Sequence, residues 1–106
     1  DFNCGIANAN GQLAVTGLYL LAHVTGLSEV ISQCVRMIGR DRIRLGDVYV
    51  TNDPWMGAVH QNDVALVSPL HADGEIIGWT GTVIHQSDIG GPVPGSWNLD
   101  AFDAYQ

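Results

Sequence analysis

Two apolar stretches rich in β-branched residues, Val64 to Leu70 and Glu75 to His85, flank His71-Ala72-Asp73-Gly74, and this arrangement strongly favours an antiparallel hairpin. Val, Ile, Thr and Trp suit a pleated surface, while Asp-Gly accepts the positive φ of a tight reversal. If paired residues sum to about 146 to 148, Asp63 lies opposite residues 83 to 85 at the open end of the hairpin. Parity then decides which side chains share a face. A two-residue Asp73-Gly74 turn puts Asp63 and His85 on opposite faces, whereas an odd-length loop or a bulge puts them on one face. The expectation is an odd-length loop or a bulge.

The rest of the chain supplies a second hairpin and a helix. Phe2 to Ala7 alternates, Asn8-Ala9-Asn10-Gly11 is a turn signal, and Gln12 to Thr16 alternates again. Gly17 to Thr25 is ambiguous. Ser28 reads as an N-cap, after which Val30, Ile31, Cys34, Val35 and Ile38 recur at helical spacing until Gly39. Leu45-Gly46-Asp47 is a turn, Val48-Tyr49-Val50 a short strand, and the segment from Trp55 to Gln61 a loop. Gly90 to Ser96, with two prolines and three glycines, reads as a shaped loop. The fold expected is α+β: antiparallel β-hairpins with one packed helix, residues 1–106 forming a single partial domain of a larger subunit.

Composition narrows the function. The 106 residues are 46% hydrophobic and only 14% charged, apolar for a free-standing small domain, so part of the surface is expected to be covered by further chain or a partner. The start at Asp1, the apolar entry through Phe2, Cys4 and Ile6, and the ending Ala104-Tyr105-Gln106 without a helix stop also read as a fragment. A net charge of −7 with four Lys and Arg argues against binding nucleic acid or an anionic membrane surface. The apolar run from Leu18 to Ala22 is far shorter than the roughly 20 residues that cross a bilayer. Cys4 and Cys34 lack C-x-x-C spacing and sit in apolar patterns. They are expected as buried, reduced thiols in a cytoplasmic protein.

His60-Gln61-Asn62-Asp63 offers an imidazole and a carboxylate three residues apart, and His85 ends the returning strand of the same hairpin. Two imidazoles and one carboxylate with open positions suit a catalytic Zn²⁺, Mn²⁺ or Fe²⁺; softness does not choose among these ions. As ordinary polar loop residues the same groups need no ion, so both readings stand. Asp88 and His23 are candidate catalytic groups. The alternatives are local capping of the Gly90-Gly91 turn for Asp88 and a hydrogen-bonded core position for His23. Asp53 is either a turn residue before Pro54 or an additional ligand. Gly90, Gly91 and Gly95 could present backbone N–H groups to an anion. His71, at the hairpin tip, should be exposed and without a role. Trp55, Trp79 and Trp97 read as packing residues, although Trp55 and Trp97 could wall a pocket. The chain has neither a G-x-S-x-G elbow nor a phosphate loop with Lys.

Asp1-Phe2-Asn3-Cys4, the stretch around His23, Gly46-Asp47-Val48, Asn52-Asp53-Pro54-Trp55, His60-Gln61-Asn62-Asp63-Val64 and His85-Gln86-Ser87-Asp88-Ile89-Gly90-Gly91 through Pro94-Gly95-Ser96 together resemble the hydantoinase B/oxoprolinase family. That family also includes the metal-bearing subunits of acetone and acetophenone carboxylases. The resemblance implies a large subunit working with a hydantoinase A-type partner, which holds ATP and Mg²⁺ and phosphorylates a carbonyl oxygen of the substrate. It further implies that His60, Asp63 and His85 are metal ligands, with a further acidic ligand lying before Asp1. The substrate implied is a small cyclic amide, opened by hydrolysis, or a ketone, carboxylated instead. Many hydrolase members read His-His-Ala-Asp where this chain reads His85-Gln86-Ser87-Asp88; Gln86 and Gln61 lean toward the carboxylases. Cyclic-amide hydrolysis is the first expectation, ketone carboxylation the second, and a non-catalytic structural or partner-binding module the third.

Overall fold

The computed structural model describes residues 1–90, 92, 93, 95, 98–100 and 102. Strands β1 (Phe2–Asn8) and β2 (Leu13–Thr16) form the first hairpin, helix α1 (Leu21–Ile38) follows, and β3 (Tyr49–Thr51), β4 (Asp63–Ala72) and β5 (Glu75–His85) complete a five-stranded sheet. Short 3₁₀ turns occupy Arg40–Arg42 and Pro54–Met56. The strand order is β2-β1-β5-β4-β3 with every neighbouring pair antiparallel, which is the expected α+β arrangement. β5 lies at the centre, joining the two hairpins by pairing with β1 from Phe2↔Ile84 to Asn8↔Gly78.

The β4–β5 hairpin resolves the parity question with a bulge. Asp73 and Gly74 form a two-residue turn with φ of 50° and 84°, the positive values of a primed turn. Ala72↔Glu75 and His71↔Ile76 pair next, and the register then shifts, so that Leu70 faces Gly78 and Ile77 has no cross-strand partner. From there the pairing runs to Asp63↔His85. The extra residue puts those two side chains on one face.

That face is the covered one. Asn3 and Ala7 of β1, Asp63, Ala65 and Val67 of β4, and Trp79, Gly81 and Val83 of β5 alternate inward and are buried beneath α1. The helix contributes His23, Gly26, Leu27, Val30, Ile31 and Cys34, a stripe at three- and four-residue spacing. Val35 and Ile38 are partly buried against the same core. Fully burying side chains such as Leu27, Ile31 and Val67 stabilises the fold by about 1.5–3 kcal/mol each.

Two local expectations need correction. The helix begins at Leu21, seven residues before Ser28; its N-cap is Leu20, which makes no side-chain capping bond. Ser28 sits inside the helix, where its Oγ accepts from Leu13 N of β2 at 3.3 Å, so a residue read as a cap instead ties helix to sheet. Cys4 is exposed, because strand alternation turns it to the face away from the helix; Cys34 is buried, and burial pushes its thiol pKa up. Both cysteines are free.

Candidate metal centre

The open end of the β4–β5 hairpin is closed by a reciprocal clasp. Gln86 N donates to Asn62 O at 2.8 Å, and Asn62 Nδ2 donates to Gln86 O at 3.0 Å. The incoming loop is also pinned. Asp53 Oδ1 accepts from Trp55 N at 2.9 Å and so caps the Pro54–Met56 turn, while Asn52 Nδ2 donates to Gln61 O at 2.9 Å. Gly57 and Gly26 press this loop onto α1: a Cβ on Gly26 would lie 2.3 Å from Gly57 O, and one on Gly57 would lie 2.7 Å from Gly26 O. Only two glycines allow backbone to approach backbone this closely.

Asp63 stands at the focus of these elements, fully buried. Its Oδ2 accepts from His60 N at 2.9 Å and lies 3.1 Å from His60 Nδ1; its Oδ1 lies 2.7 Å from His85 Nδ1 and 3.3 Å from His23 Nε2. An ionised carboxylate only accepts, so each imidazole hydrogen-bonded through Nδ1 donates from that atom. Burial works against ionisation of Asp63, but His85, the His60 backbone N–H and the charges of His23 and His60 together outweigh it and hold the carboxyl below the usual range. The His60 and His85 rings meet edge to face with centroids 5.5 Å apart.

His60, Asp63 and His85 each bring a ligand atom to within 4.8 Å of the others, so the three expected ligands converge. Asp63 is buried, while the side chains of His85 and His60 are 34% and 59% exposed and leave one flank open to solvent. Two nitrogens and one oxygen of this kind suit a borderline divalent cation with vacant positions. His23, in the first turn of α1, is buried against Asp63 and lies outside this ligand group. Asp88 is exposed; its Oδ1 accepts from Gly90 N at 3.2 Å, the local capping contact considered from the sequence. Asp53 is likewise a capping residue here. His71 is half-buried rather than exposed, with Nδ1 enclosed. Trp79 is a core residue and Trp55 is exposed. Gly91, Pro94, Ser96 and Trp97 lie outside the described residues.

Three contributors escaped the sequence reading. Asn62 clasps the strands, and Asn3, fully buried, donates from Nδ2 to Leu20 O at 3.1 Å and so ties the start of α1 to β1. An asparagine at an inward position of an alternating strand was the available signal. Asp1 is the third. His85 N donates to Asp1 O at 2.8 Å, and continuing the Phe2↔Ile84 register puts Asp1 opposite His85, in phase with inward-facing Asn3.

Residues 1–106 match the Hydantoinase B/oxoprolinase family along their whole length. The chain belongs to the hydantoinase B/oxoprolinase family. It is 40% identical over 105 residues to caprolactamase subunit beta of Pseudomonas jessenii, covering 99% of this chain and 18% of that protein. To 5-oxoprolinase of Saccharomyces cerevisiae it is 29% identical over 107 residues, covering all of this chain and 8% of that one. Among solved structures, the crystal structure of ATP-dependent caprolactamase from Pseudomonas jessenii superposes with a TM-score of 0.89 at 30% identity, over 99% of this chain and 18% of that one. The nucleotide-free structure of acetone carboxylase superposes with a TM-score of 0.81 at 29% identity, over 90% of this chain and 13% of that one. The chain therefore spans less than a fifth of each of these hydantoinase B/oxoprolinase relatives. Among the described residues no helix is long and apolar enough to cross a membrane.

Proposed function

We propose that this chain is the metal-site segment of a larger catalytic subunit that opens a small cyclic amide. In this reading ATP and Mg²⁺ are used at a hydantoinase A-type partner in a cytoplasmic assembly. The observation that carries it is the convergence of His60, Asp63 and His85 on one buried carboxylate with one open flank. Two free cysteines support the cytoplasmic setting. Affinity to a caprolactamase subunit at 40% identity, and to a 5-oxoprolinase, favours ring opening as the reaction.

A Zn²⁺, Mn²⁺ or Fe²⁺ ion held by His60, Asp63 and His85 would supply Lewis acidity and a template at the scissile carbonyl. Asp63 provides the negative charge that such an ion requires, kept ionised against burial by its hydrogen bonds to His85 and the His60 backbone N–H. His60 and His85 hold the open flank, where a substrate carbonyl can approach. Asp88, exposed three residues beyond His85, is the candidate for moving a proton to or from substrate on that flank.

Ketone carboxylation is the second reading, supported by the likeness to acetone carboxylase and by Gln86. Full-length subunit and partner, given ATP with 5-oxoproline, hydantoin or caprolactam, should release the opened amino acid. Given acetone or acetophenone with labelled bicarbonate instead, label appearing in a β-keto acid would reject ring opening in favour of carboxylation. A non-catalytic module is ruled in only if the subunit holds no stoichiometric transition metal and His60→Ala with His85→Ala leaves turnover intact.

A further inference from the structure

His23 is 2% exposed, and among the described residues neither ring nitrogen has a hydrogen-bond partner, yet Nε2 lies 3.3 Å from Asp63 Oδ1. The contact is close enough for an ion pair and off the line of a formed hydrogen bond. Enclosing an imidazole with both nitrogens idle is unfavourable, and the polar group it faces is the carboxylate at the focus of the metal centre. The position is held from two sides. His23 N donates to Leu20 O at 3.1 Å within the helix start, and the same carbonyl accepts from buried Asn3 of β1 at 3.1 Å, so the Asn3 bond ties the turn that carries His23 to the sheet.

We propose that His23 is a positioning residue that donates from Nε2 to Asp63 Oδ1 and fixes the rotation of that carboxylate for metal binding. The inference rests on the metal-centre reading above. Because the carboxylate only accepts, Nε2 carries a proton. With its side chain 1% exposed and set against the fully buried Asp63, His23 acts through Asp63 rather than on the reaction itself. A rotationally fixed carboxylate meets an ion without first losing rotamer freedom, and an outer partner of this kind typically governs metal affinity by about 10–100-fold.

The test uses full-length subunit in complex with its partner, stripped of metal and titrated with Co²⁺ alone in competition with a chelator. His23→Leu should weaken Co²⁺ binding by about 10–100-fold and shift the visible d–d bands. His23→Gln, whose amide N–H can reach the place of Nε2, should restore most of the affinity and the spectrum; His23→Asn, one bond shorter, should not. If His23→Leu fails to fold, the Gln and Asn variants carry the comparison. Equal affinity and spectra for Gln and Asn, or unchanged binding in a folded His23→Leu, would overturn the positioning role while leaving the metal centre intact. Wild-type protein that takes up no Co²⁺ would overturn both.

Discussion

Asp63 gathers three imidazoles although burial alone would disfavour its charge. Since its carboxyl is held below the ordinary range, its contribution to stability is present above about pH 4 and is lost as pH falls through the lower folded value. Asp63→Asn keeps shape and removes charge. The full-length subunit carrying it should retain its fold by circular dichroism and lose more than about 100-fold in metal affinity, since a ligand matters more than an outer partner. Unaltered metal content would contradict the role given to Asp63. At this scale the convergence of His60, Asp63 and His85 was legible, because they are polar groups at a hairpin's open end. Asn3 and Asn62 were not, since their work is hydrogen bonding to backbone carbonyls whose positions only the fold supplies.

The elements place these residues through two devices, the bulge and the glycine contact. Ile77 is the residue that the register leaves unpaired, and it is exposed. Deleting it should preserve Ala72↔Glu75 and Asp63↔His85 alike, because the bulge absorbs one residue that the deletion removes. A full-length subunit lacking Ile77 should therefore keep its metal; loss of metal with the fold retained would show that the bulge does more than set parity. Gly26→Ala tests the other device. Intrinsic helix propensity favours Ala by about 1 kcal/mol, but a Cβ 2.3 Å from Gly57 O meets backbone that cannot swing aside, and overpacking costs about 1–3 kcal/mol. The variant should melt lower and bind metal more weakly through displacement of the His60 loop; a raised melting temperature would contradict the close packing. The alternating strands, the Asp-Gly turn and the rear two-thirds of α1 were readable. The helix start was not, because Val24, Thr25 and Gly26 are weak helix formers that tertiary packing overrides, and Ser28 mimics a cap.

At the scale of the molecule, the pairing of β1 with β5 joins Asn3, Asp1 and His85 into one neighbourhood across more than 80 residues of sequence, and no local pattern announces it. The sheet face away from α1 carries Phe2, Ile6, Val15 and Val50, all exposed, in keeping with the low charge fraction. Apolar area of this kind usually meets other protein. Most of the length of each reported relative lies outside the matched region. Anomalous diffraction from crystals of the full-length subunit with its partner, collected at the Zn, Mn and Fe edges, tests whether His60, Asp63 and His85 share one ion. A single peak is expected at about 2.0–2.3 Å from an imidazole nitrogen of His60, an imidazole nitrogen of His85 and a carboxylate oxygen of Asp63. A map with no peak there, the three groups bonded only to one another, would contradict it.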